Sequence, residues 1–120
     1  MAKILIVDDS RTSRRILRTL MEENGYTVVG EAANGKEGYD LCKDLEPDVV
    51  TMDITMPIMD GLESLKLIKQ YRKGIIVIMV TAAGQQNKVM EAIKSGAADF
   101  ITKPFEPDRV VKTVFNLINK

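Results

Sequence analysis

Short β-branched runs alternate with amphipathic stretches along this chain, and that alternation constrains the fold more than any other feature. The runs are Ile4–Val7, Thr27–Val29, Val49–Met52, Ile75–Val80 and Phe100–Ile101. Between and after them, apolar residues recur at helical spacing. The first stretch carries Ile16, Leu17, Leu20 and Met21 on one face, and the second Gly38, Leu41, Cys42 and Leu45. The third carries Leu62, Leu65 and Ile68, and the fourth Val89, Met90 and Ile93. The last carries Val110, Val111, Val114, Phe115 and Ile118. Consecutive strands joined by helices must be parallel, because a parallel pair needs a long crossover, and the helices then cover both faces of one sheet.

Local signals punctuate the same elements. Asn24-Gly25 and Ser95-Gly96 are helix stops that tolerate left-handed backbone. Asn34-x-x-Glu37 and Asp60-x-x-Glu63 resemble capping boxes that open the second and third helices. Ile75–Val80 is apolar without alternation, as a strand covered on both faces must be, and Ile4–Val7 is similar. Thr27–Glu31 and Asp99–Lys103 are shorter or polar-spotted and belong at the edges. With right-handed crossovers, strand order 2-1-3-4-5 meets these conditions. The expected fold is a single doubly wound five-stranded parallel α/β sheet, flavodoxin-like (β/α)5. Its ligand site lies at the carboxyl ends of the first and third strands, where the winding reverses.

Composition removes several classes of chemistry. The chain has 120 residues, a length that fits one domain with one core. It has no histidine, which excludes Ser-His-Asp and Cys-His nucleophiles, HExxH metal sites and a phosphohistidine on this chain. The single cysteine, Cys42, excludes an intrachain disulfide and a CxxC site, and a lone thiol suits a reducing, cytoplasmic compartment. Lys plus Arg equals Asp plus Glu at 17 each, so nothing in the charge favours nucleic acid or an anionic membrane. No apolar run approaches the roughly 18 residues of a membrane span.

Polar residues gather where the fold predicts a site. The first strand delivers Asp8 and Asp9, the third Asp53, the fourth Thr81 and the fifth Lys103. Three carboxylates in one place repel, and their pKa values rise unless a cation sits among them. A hard dication with oxygen ligands answers this, and Mg²⁺ is the ordinary choice. An ammonium and a hydroxyl beside such a metal make a receptacle for a phosphoryl group, whose transfer depends on positioning and charge neutralisation. Each residue taken alone has a plainer reading, as helix cap, turn residue or solvated edge charge. Their convergence on one edge is what argues for chemistry.

Four segments carry a family resemblance. They are Ile4-Leu5-Ile6-Val7-Asp8-Asp9-Ser10, Asp53-Ile54-Thr55-Met56-Pro57-Ile58-Met59-Asp60-Gly61, Val80-Thr81-Ala82 and Asp99-Phe100-Ile101-Thr102-Lys103-Pro104-Phe105. In this order they resemble the motifs of response-regulator receiver domains, above all the stand-alone chemotaxis members. The resemblance implies a stand-alone response regulator of a two-component system, one receiver domain over residues 1–120 with no output domain. Asp53 would be the phosphoacceptor. Asp8, Asp9, Asp53 and the backbone carbonyl of Thr55 would hold Mg²⁺. Thr81 and Lys103 would contact the phosphoryl oxygens, and Phe100 would be the switch aromatic. Lys103-Pro104 would be cis, as it often is in this family. The implied partners are a sensor histidine kinase, a phosphorylation-dependent output protein such as a flagellar motor switch, and a phosphatase. Two residues depart from the commoner pattern: Phe100 stands where chemotaxis members often have Tyr, and Ala83 offers no polar group to steer hydrolytic water.

Other readings stay open at this point. One is a phosphorelay intermediate that passes its phosphoryl group to a histidine phosphotransfer protein. Another is a small Mg²⁺-dependent phosphohydrolase, disfavoured because a second acid and a substrate cap are missing. A flavodoxin-type FMN carrier would set its phosphate against three carboxylates. Gly30-Glu31-Ala32-Ala33-Asn34-Gly35-Lys36-Glu37 nearly matches a P-loop, but Glu37 replaces the metal-binding hydroxyl, and a turn with a capping box explains the segment. The arginines of the first helix, Arg14, Arg15 and Arg18, read as a solvated face, and the methionines as packing residues.

Overall fold

The alternation is realised as ten elements in a computed structural model that describes residues 2–120. In chain order they are β1 (Lys3–Val7), α1 (Arg11–Glu23), β2 (Thr27–Ala32), α2 (Gly35–Leu45) and β3 (Val49–Asp53). There follow α3 (Gly61–Tyr71), β4 (Ile76–Thr81), α4 (Gln86–Lys94), β5 (Asp99–Thr102) and α5 (Pro107–Ile118). The strands form one parallel sheet in the order β2-β1-β3-β4-β5, the flavodoxin-like winding expected from the pattern.

The unbroken apolar runs are explained by the two faces. Successive side chains of a strand point to opposite sides. Leu5 and Val7 of β1, with Val50, Met52, Val77 and Met79, pack under α2, α3 and α4 against Cys42, Leu65, Ile68 and Ala92. Ile4 and Ile6, with Val49, Ile78 and Ile101, pack on the other face against Leu17 and Met21 of α1 and Val110 and Val114 of α5. Each fully buried Leu, Ile or Met side chain contributes about 1.5–3 kcal/mol relative to exposure. The Cys42 thiol is inside this packing, and burial pushes its pKa up to about 12.

Caps place the helix starts. Ser10 Oγ accepts from Ser13 N at 3.2 Å, Asn34 Oδ1 from Glu37 N at 2.9 Å and Asp60 Oδ1 from Glu63 N at 2.9 Å. Gly25 and Gly96 take left-handed backbone after α1 and α4, where any other L-residue would be strained. Lys36 of the near P-loop pairs with Asp40 on its own helix at 2.8 Å, which leaves the segment a capped turn.

The apolar stripes of three helices are only partly covered. Ile16 of α1, Met90 and Ile93 of α4 and Phe115 of α5 are exposed, although their spacing puts them with buried neighbours. In α4 the one buried residue is Ala92. Periodicity marks an apolar face, but a helix that touches the sheet through a small residue buries less of it.

Candidate functional site

The strand ends and the loops after them build the site. Asp8 follows β1, its N–H donating to Ala32 O at 2.9 Å, so it continues the β1–β2 ladder. Its Oδ1 accepts from Ser10 N at 2.8 Å, and its own carbonyl accepts from Arg14 Nη1 at 2.6 Å. Asp53 ends β3, and Ile54 N extends the pairing to Val80 O at 3.2 Å. Lys103 N donates to Thr81 O at 2.8 Å, which sets the Lys103 side chain beside the end of β4. The Lys103–Pro104 bond is cis.

The carboxylates of Asp8, Asp9 and Asp53 each offer an oxygen within 4.8 Å of the others. Asp8 is fully buried and Asp53 nearly so, while Asp9 is exposed. Lys103 Nζ stands 3.1 Å from Asp8 Oδ2 and 3.8 Å from Asp53 Oδ1. Burial raises the Asp53 pKa to about 6, helped by the charges of Asp8 and then Asp9 and opposed by Lys103. Asp8 Oδ2 is buried with no hydrogen-bond partner and has only the ion-pair contact with Lys103 Nζ. A buried carboxylate oxygen without a donor is costly, and one ammonium does not balance three carboxylates. A hard divalent cation fits this donor set.

The remaining expected residues lie on the rim. Thr81 is buried, and its hydroxyl has two acceptors, Gln85 Oε1 at 3.0 Å and Ala82 O at 3.1 Å. Thr55 is exposed, and its hydroxyl accepts from Gln85 Nε2 at 2.8 Å. Phe100 is 43% exposed beside an apolar cleft of about 590 Å³ that also touches Thr81, Ala83, Gln85, Met90 and Lys103. Two contributors carry no sequence signal of their own. Arg14, read as part of a solvated face, holds the Asp8 carbonyl and pairs with Glu31 at 3.1 Å, where Arg18 also binds at 2.6 Å. Gln85, one of two adjacent glutamines, reaches across the site from the start of α4.

The response regulator receiver domain profile matches residues 4–115. The chain belongs to that family. This receiver is 48% identical to the chemotaxis protein CheY of Thermotoga maritima over 118 residues, 98% of both chains. It is 47% identical over 117 residues to the CheY of Bacillus subtilis, again 98% of both. Its fold matches the crystal structure of the CheX-CheY-BeF3-Mg+2 complex from Borrelia burgdorferi with a TM-score of 0.94, at 35% identity over 99% of this chain and 90% of that one. Receiver domains bind Mg²⁺ at an acidic pocket, and this chain brings Asp8, Asp9 and Asp53 together in an acidic group. No helix among the described residues is long and apolar enough to cross a membrane.

Proposed function

We propose that this receiver accepts a phosphoryl group on Asp53 from the phosphohistidine of a sensor kinase and signals through phosphorylation-dependent protein binding in chemotaxis. The observation that carries the reading is Lys103 Nζ poised 3.1 Å from Asp8 and 3.8 Å from Asp53 within a three-carboxylate cluster. Asp8, Asp9, Asp53 and the Thr55 carbonyl would hold Mg²⁺, which neutralises charge on the phosphoryl oxygens when bound.

An Asp53 carboxylate oxygen attacks phosphorus, a P–O bond forms, and the P–N bond to the donor imidazole breaks with its electron pair leaving on nitrogen. Lys103 meets the negative charge that arrives on the phosphoryl oxygens. Without metal the Asp53 pKa of about 6 already leaves most of this carboxylate ionised near neutral pH, and a dication beside it would favour the ionised, attacking form further. Afterwards the Thr81 hydroxyl turns to a phosphoryl oxygen, Phe100 moves toward the space it leaves, and the surface of α4, β5 and α5 changes for a partner. Phe100 has no hydroxyl, so any contact it makes with that partner is apolar.

The partners that fit are a sensor histidine kinase, an output protein such as a flagellar motor switch, and a phosphatase. A solved relative is in complex with CheX, so a CheX-like protein joins the candidates. Asp53→Asn tests the assignment. It should abolish acid-labile labelling by acetyl phosphate, whereas undiminished labelling would place the nucleophile elsewhere.

A further inference from the structure

Gln85 occupies the α4 N-cap position, yet its side chain makes no capping hydrogen bond to that helix. It bridges two other loops instead. Its Oε1 accepts from Ala82 N at 2.7 Å and from Thr81 Oγ1 at 3.0 Å, and its Nε2 donates to Thr55 Oγ1 at 2.8 Å. The amide can face only one way, because a flip would set its NH₂ group against the Ala82 N–H, donor against donor. One side chain therefore joins the end of β4 to the loop after β3, over the edge where Asp53 lies.

A hydroxyl has one proton to give. In this structure the acceptors within reach of the Thr81 hydroxyl are Gln85 Oε1 and Ala82 O, and neither belongs to Asp53. Bonding to a phosphoryl oxygen on Asp53 requires Thr81 to give up these contacts. Interactions present in one state and absent from the other set the equilibrium between them. We propose that Gln85, anchored to Thr55, is a positioning residue that latches Thr81 in the unphosphorylated arrangement, so that phosphorylation must break the latch before the switch completes. The proposal rests on Asp53 as phosphoacceptor and Thr81 as the hydroxyl that follows the phosphoryl group.

The side chain before α4 thus bonds to the neighbouring loops and not to its own helix. When Thr81 turns away, the Gln85 amide keeps the Ala82 N–H but loses its hydroxyl donor. Because Gln85 is also the first residue before α4, that release is felt where the α4 backbone begins. The coupling from Asp53 to α4 thus runs through one amide, in addition to any movement of Phe100.

The test is the affinity for beryllofluoride in the presence of Mg²⁺, a non-covalent stand-in for the phosphoryl group on Asp53. It is measured by calorimetry in wild type, Gln85→Met, Thr81→Ala and the double variant. Methionine keeps the length and flexibility of glutamine and removes its hydrogen bonds. Loss of one such bond from the unbound state should tighten binding about two- to tenfold in Gln85→Met. In the Thr81→Ala background the same substitution should change affinity by less than about twofold, since there is no hydroxyl to release. Unchanged or weaker binding by Gln85→Met overturns the latch, and so does an equal gain in both backgrounds. Gln85→Ala, run in parallel, carries the same expectations, so a folding defect peculiar to one variant leaves the test standing. Wild-type protein that binds no beryllofluoride would overturn the phosphoacceptor reading itself, an outcome distinct from intact wild-type binding without the latch effect.

Discussion

The backbone of Gly61 lies directly on that of Asp53. Gly61 N donates to Ile54 O at 2.7 Å, and a Cβ added at Gly61 would overlap the Asp53 carbonyl oxygen and sit 2.9 Å from its carbonyl carbon. The first residue of α3 is thereby used as a stop against which the end of β3 is set. The loop between them can then carry Thr55 and the exposed Ile58 without displacing the carboxylate.

Gly61→Ala should therefore act on the site through the backbone. The neighbour is a carbonyl group that cannot swing aside, so overpacking costs about 1–3 kcal/mol of stability. Labelling of Asp53 by acetyl phosphate should fall as well. A denaturant melt and a labelling time course check both. Ser64→Ala, which removes the Ser64 Oγ bond to Gly35 O at 2.8 Å, is the control for a stability loss elsewhere in α3.

The raised Asp53 pKa has a pH signature in metal-free protein. Between the usual 3.8 and about 6, the folded state keeps a proton that the unfolded chain has released. The Asp53 contribution to stability thus falls as pH rises through that window and is level above it, by about 2–3 kcal/mol in total. Asp53→Asn should flatten this part of the profile and raise stability in EDTA near neutral pH. Millimolar Mg²⁺ should raise the wild-type melting temperature near pH 7 and leave Asp53→Asn less affected. Thermal melts across pH 4–8, with and without metal, read all of these.

Lys103→Ala should still be phosphorylated, because the ammonium does not attack the phosphoryl group. It should switch poorly, because the cation that detects the new oxygens is gone. Chemical-shift changes at Phe100 on phosphorylation measure the difference. Wild-type-sized changes in the variant would assign that role to another group.

Decay of the phosphorylated state depends on a water aligned behind phosphorus. Ala83 gives that water no partner, and Thr55 can offer it only a single hydroxyl. Misplacement of a reacting water is costly in rate, so self-dephosphorylation should be slow. Ala83→Glu or Thr55→Asn should accelerate it, read as loss of acid-labile label after the donor is removed. No acceleration in either variant would mean that these positions do not govern water access.

The sheet was legible because each strand carries its own signal. Ile4–Val7 and Ile75–Val80 are apolar at every position, and only a strand with helices on both sides needs that. The candidate site was legible as a set of strand ends: a carboxylate at the end of each of two neighbouring central strands stands out from any plain account of solubility. What stayed hidden depends on side-chain reach. Arg14 looks solvated by periodicity, yet its guanidinium turns to the Asp8 carbonyl and Glu31. Gln85 has no periodic or charge signature, and its amide matters only because Thr55, Thr81 and Ala82 come within reach of it in space. Met90 and Ile93 follow the apolar pattern but stand exposed, since helical spacing says nothing of how closely a helix approaches its sheet.

The sequestered Cys42 has a practical consequence. Its thiol is fully buried and held protonated well past neutral pH, so a maleimide dye finds no native target while the protein stays folded. A single cysteine introduced at the exposed Gln86 or Met90 would then be the only labelled position. Fluorophores there would sit at the mouth of the cleft beside Phe100, so the chain can be made into an optical reporter of its own signalling state without first deleting a residue from its core.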